Sequence, residues 1–171
     1  MYKDNPIYTV KTKDELRLLI ENTIKLYGED CSLNWIDTSK IEDMSNLFEH
    51  LYPRNIDISK WDVSNVRNMR SMFEMCYHFN SDLSKWEVSN VEDMHSMFFY
   101  CRCFDSDLSN WDVSNVKNMS CMFSHCNYNF NSDLSAWDVS NVETMSGMFA
   151  ECTRFNSDIS SWDVSNVKKM S

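Results

Sequence analysis

The chain has 171 residues, with 16 basic against 26 acidic side chains and a formal charge of −10. That charge repels nucleic-acid phosphate and anionic lipid, which argues against both as partners. Only two glycines and two prolines stand beside twelve methionines, ten phenylalanines and six tryptophans. This is too little glycine for the phosphate-cradling loops of an ordinary α/β enzyme, so the turns are expected from Ser, Asn and Asp.

Residues 1–10 show no basic segment followed by an apolar run, so no export signal is read there. No apolar run approaches the roughly 20 residues that span a bilayer. As written, the chain is expected to be cytoplasmic and to make no membrane insertion. Seven cysteines, an odd number without an export signal, point to free thiols rather than a disulfide framework.

Thr12-Lys13-Asp14-Glu15 has the form of a capping box. Leu16, Leu19, Ile20 and Ile24 follow as an apolar stripe at helical spacing. A helix is therefore predicted over about 13–27, closed by Gly28. Residues 1–32 read as an N-terminal capping segment laid over the open end of a core.

From residue 33 the chain repeats. Trp61, Trp86, Trp111, Trp137 and Trp162 mark steps of 25 or 26 residues, and coils 58–82 and 83–107 are identical at 15 of 25 positions. The coils run 33–57, 58–82, 83–107, 108–133, 134–158 and a partial 159–171. Their frame is D-[LI]-S-x-W-[DE]-V-S-N-V-x-x-M-x-x-M-F-x-x-C-x-x-F, with one extra residue between Cys126 and Phe130. In it, Trp86 and Val88 alternate as in a strand, whereas Val91, Met94, Met97, Phe98 and Cys101 step by threes and fours as in a helix. The Ser-Asn pair reads as the turn between them. Ser89 with Glu92 and Ser140 with Glu143 fit further capping boxes.

The predicted architecture is an α/β repeat solenoid of strand–turn–short helix coils, because one coil cannot bury its apolar face without neighbours. Like residues should stack in ladders: Met69, Met94, Met119, Met145 and Met170; Phe73, Phe98, Phe123 and Phe149; Cys76, Cys101, Cys126 and Cys152. Residues 33–57 form a degenerate first coil with Ile36 in the tryptophan slot. The sequence stops in mid-coil at Ser171. A strand from Ile159 to Val164 is expected to stand open there, covered either by more of the array or by another chain, with self-association through residues 159–171 as one outcome.

The frame at Trp61–Asn80 and Trp111–Asn131 closely resembles the BspA-like leucine-rich-repeat surface proteins, over residues 33–171. The resemblance implies a right-handed leucine-rich-repeat-like stack and a role in adhesion or protein–protein interaction. It also implies a cell-surface or secreted setting, as for relatives in bacteria and some parasitic protists. It carries no catalytic motif.

The cysteine ladder at 76, 101, 126 and 152 reads as core rather than metal ligands, and Cys101 with Cys103 lacks two further ligands at zinc spacing. The four histidines share no metal spacing, and His78 near Cys76 or His125 near Cys126 fails as a dyad because those thiols should point inward. Two acid ladders recur, Asp82, Asp107, Asp133 and Asp158, and Asp62, Glu87, Asp112, Asp138 and Asp163. They read as one turn-bonding ladder and one solvated ladder rather than calcium sites. No cofactor and no metal are expected, and no catalytic residue is assigned.

The slots after Met-Phe vary from coil to coil, and stacking brings Tyr77, Phe99, Tyr100, Arg102 and Tyr128 towards one edge. Two readings stand open for them: exposed anchors for a protein partner, or partial burial between neighbouring helices. The chain is thus expected to be a non-enzymatic protein-binding solenoid.

Overall fold

The computed structural model describes residues 8–169. Tyr8–Thr9 forms β1, Lys13–Tyr27 forms α1 and Ile36–Asp37 forms β2, which pairs parallel with β1. Helix α1 occupies the predicted span. Thr12 Oγ1 accepts from the Glu15 N–H at 3.2 Å, and the Glu15 carboxylate accepts from the Lys11 N–H at 2.9 Å. Two donors at the helix start are thereby satisfied. At the other end Gly28, with φ +87°, donates its N–H to the Ile24 carbonyl at 2.8 Å. Leu16 and Ile20 of the stripe are fully buried in the common core.

After β2 the backbone pairs through single parallel bridges between equivalent slots of successive coils: Asp43 with Asn68, Asn68 with Asp93, Asp93 with Asn118, Asn118 with Thr144, and Thr144 with Lys169. The chain is a stack of repeats with little regular secondary structure.

The helix expected over Val91–Cys101 does not form, and neither does its counterpart in any other described coil. The N–H groups of Met94, Ser96, Phe98 and Tyr100 donate to Asn118, Ser120, Met122 and Ser124 of the next coil at 2.9–3.0 Å, while those of Met97, Phe99 and Cys101 close four-residue turns on Met94, Ser96 and Phe98. Half of the donors therefore serve the neighbouring coil, where a helix would spend all of them internally. Ser96 and Tyr100 sit at φ +53° and +60°, and a left-handed pair recurs at Ser71 and Met75, Cys121 and His125, and Gly147 and Glu151. Consecutive tight turns thus produce the same steps of three and four that a helix shows.

The strand expected at Trp86–Val88 is also absent, as is the one expected over Ile159–Val164. Tight turns at Ser84-Lys85 and Ser89-Asn90 flank the Trp86–Val88 segment and leave too few residues to form a ladder. The Ser-Asn pair is indeed a turn, and Asn90 Nδ2 reaches back to the Ser64 carbonyl at 2.7 Å, as Asn115 does to Ser89. Trp61, Trp86, Trp111, Trp137 and Trp162 each make a second clasp: Trp86 Nε1 donates to the Ile58 carbonyl at 3.2 Å, and Trp111 Nε1 to that of Leu83 at 3.0 Å.

The expected ladders form the core. Phe73, Phe98, Phe123 and Phe149 stack with ring centroids 5.6–5.8 Å apart. A second file, Phe79, Phe104, Phe130 and Phe155, lies beside them, with Phe98 and Phe104 only 4.0 Å apart. Phe130 keeps its place in that file, so the inserted residue is absorbed in the loop before it. Met69, Met94, Met119 and Met145 are buried; Met170, expected to end their ladder, lies outside the described residues.

Candidate binding edge

The edge is built by the left-handed turn after each Met-Phe pair. His50, Met75, Tyr100 and His125 occupy the same slot at φ +60° to +62°, which turns their side chains away from the phenylalanine file. Tyr77 and Arg102 follow two residues later. Tyr77 lies edge-on to Tyr100 at 6.4 Å, Phe99 edge-on to Tyr100 at 4.8 Å, and Tyr100 stacks on His125 at 4.0 Å. The Arg102 guanidinium carbon stands 5.4 Å from the Tyr77 ring and 5.6 Å from the Tyr100 ring.

Of the five candidates, then, Tyr77, Phe99, Tyr100 and Arg102 meet in one half-buried cluster. Tyr128 stands apart and 53% exposed, beside a shallow hollow of about 430 Å³ that it lines with Asn129, Asn131 and Arg154. The expectation from sequence leaves Tyr52 and His125 outside this group. Tyr52 extends the row by stacking on Tyr77 at 6.3 Å, and the shared slot was the available signal for both.

The thiols divide by burial. Burial pushes Cys76 up to about 12 and Cys152 up to about 11, and raises Cys101 and Cys126 well above the ordinary thiol value. These ladder cysteines stay protonated and serve as donors, Cys101 to the Phe73 carbonyl at 2.9 Å and Cys126 to that of Phe98 at 3.1 Å. The histidine that meets a thiol is His78, whose Nδ1 is 3.9 Å from Cys103 Sγ. The two residues are one coil apart at one slot, so the repeat period, and not proximity along the chain, brings them together.

Both acid ladders bond turns. Asp82 accepts from the Ser84 N–H at 3.0 Å, and Asp112 from the Ser114 N–H at 3.1 Å, so the second ladder is not merely solvated. Glu92 and Glu143 cap no helix, which corrects the capping boxes drawn through them. Glu92 pairs with Lys117 at 2.6 Å and with Arg67 at 3.3 Å, and Glu143 pairs with Lys168 at 2.7 Å. Glu42, Arg67, Glu92, Lys117, Glu143 and Lys168 occupy one slot and alternate in sign along the stack. Among the described residues no three His, Cys, Asp or Glu side chains converge as a metal group would require.

The class is therefore a stack of near-identical coils, held by a buried aromatic ladder and varied along one edge. The chain belongs to the family described as Mycoplasma protein of unknown function, DUF285, whose model matches residues 20–128 and 110–171. No curated protein and no solved structure matches it. No helix among the described residues is long and apolar enough to cross a membrane.

Proposed function

We propose that the chain is a non-enzymatic protein-binding solenoid, a right-handed leucine-rich-repeat-like array of the BspA-like kind, serving adhesion or protein–protein interaction at a cell surface. The observation that carries this reading is the Tyr77–Tyr100–His125 row with Arg102 and Phe99 packed against it. Aromatic and Arg side chains are the usual anchors of protein contacts.

The test is capture of partners from the source cell by the immobilised chain and by its Tyr100→Ala variant. A partner held by the first and lost from the second, with the variant still folded cooperatively, supports the edge. Equal retention by both removes it.

A further inference from the structure

Four arginines of the stack and its cap are paired with acids: Arg17 with Glu21, Arg54 with Glu29, Arg67 with Glu92 and Arg70 with Asp93. Arg154 enters no ion pair among the described residues, but it is exposed to solvent. Arg102 differs from all of these. It is half-buried, its Nε is enclosed without an acceptor, and it enters no ion pair among the described residues. In a chain with 26 acidic residues, carboxylates are plentiful, and none among the described residues comes within ion-pair distance of Arg102. The guanidinium is held instead against the faces of Tyr77 and Tyr100, which fixes it without neutralising it. One coil on, at the same slot, Asn127 Oδ1 is enclosed without a donor.

We propose that Arg102, steadied by Tyr77 and Tyr100, receives a carboxylate from an acidic segment of a protein partner. This rests on the edge being a binding surface and adds the chemistry of what binds. A guanidinium fork matches a carboxylate with two parallel hydrogen bonds, and its rotamer freedom is already restricted before binding, which lowers the entropic cost of association. The rings of Phe99 and Tyr100, both half-buried, supply apolar contact for residues beside the acid. A singly charged carboxylate suits this place better than a phosphate dianion. The chain carries −10 overall, and Glu74 and Glu151 occupy the slots of Phe99 and Tyr100 in other coils, so each added negative charge on the ligand meets more repulsion.

The experiment is selection of a random peptide library on the full chain and on its Arg102→Gln variant, with binders to the support removed. Peptides selected on the unaltered chain should carry Asp or Glu next to an aliphatic or aromatic residue. Changing that acid to its amide should weaken binding about tenfold, and the difference should vanish on Arg102→Gln. Arg102→Lys, with the charge but not the fork, should recover only part of it. Enrichment without acids, an acid–amide difference that persists on Arg102→Gln, or no enrichment above the support overturns the proposal. Tighter binding of a phosphoserine peptide than of its glutamate counterpart overturns it in favour of phosphate. Should Arg102→Gln not fold, the acid–amide comparison on the unaltered chain still decides. If the acid preference fails while Tyr100→Ala still abolishes partner capture, the binding edge stands and only the carboxylate assignment falls.

Discussion

Arg17 of α1 donates from Nη1 to the carbonyl of Leu47 at 2.8 Å. The same guanidinium reaches the carbonyls of Asn46 and Glu49. In later coils the residue equivalent to Leu47 accepts from the coil before it, as Met72 accepts from Phe48 and Met97 from Phe73. No coil precedes the first, and one side chain takes the place of the missing backbone donors. Arg17→Ala should lower stability by about 2 kcal/mol, the scale of hydrogen bonds to a charged donor, with Arg17→Lys recovering part. The check is the urea midpoint with its slope unchanged; an unshifted midpoint would show that water satisfies those carbonyls as well.

Gly147 tests the left-handed turn in isolation. At φ +63° an added Cβ would meet only Cys121 Sγ at 3.5 Å and Ala150 Cβ at 3.9 Å, both ordinary contacts. Gly147→Ala should therefore cost about 1 kcal/mol from the backbone alone, read from thermal or chemical unfolding. A much larger loss would point to a packing clash instead.

The phenylalanine file and the edge should separate in stability measurements. Phe98→Ala, in the fully buried stack, should cost about 3–5 kcal/mol. Tyr100→Ala should cost no more than about 1 kcal/mol, because the residue is only half-buried. Similar losses for both would place Tyr100 in the core and withdraw it from the edge.

Acid should weaken the stack. The Asp82 and Asp107 carboxyls are held below the ordinary 3.8 by bonds from the serine two residues on, hydroxyl first at Asp82 and N–H first at Asp107. Glu92 is held below 4.5, chiefly by the Lys117 bond. A lowered folded-state value means the unfolded chain takes up protons first as pH falls. The contribution is complete above 3.8 and 4.5 respectively, and it is lost as pH drops through the lower folded values. Urea midpoints should be flat above this range and fall as pH drops through it, with Asp82→Asn reducing the slope. A midpoint independent of pH down to the folded values would show these bonds contribute nothing.

The repeat register and α1 were legible because their signals are local or periodic. Thr12, Glu15 and Gly28 mark the helix ends, and the Trp and Phe spacing defines the ladders. The conformation inside each coil was not legible. Val91, Met94, Met97, Phe98 and Cys101 fit a helix and a series of tight turns equally well. The residues that decide between these, Ser96 and Tyr100, carry no glycine-like mark of a left-handed backbone. At the edge, sequence position grouped Tyr77, Phe99, Tyr100 and Arg102, which do meet. It grouped Tyr128 with them too, but that residue stands in the loop that carries the coil's extra residue, one coil beyond the cluster. Pairs such as His78 with Cys103 and Glu92 with Lys117 become visible only when coils are compared slot by slot.

The alternating file from Glu42 to Lys168 repeats every second coil, although the fold repeats every coil. Excising residues 83–107 would leave Arg67 facing Lys117, two cations at one seam; excising residues 83–133 would leave Arg67 facing Glu143. Gene rearrangements that add or drop an even number of units preserve opposite neighbours at every junction, while odd changes create a like-charged joint. The array thus has a parity of two coils in charge, laid over a fold whose parity is one.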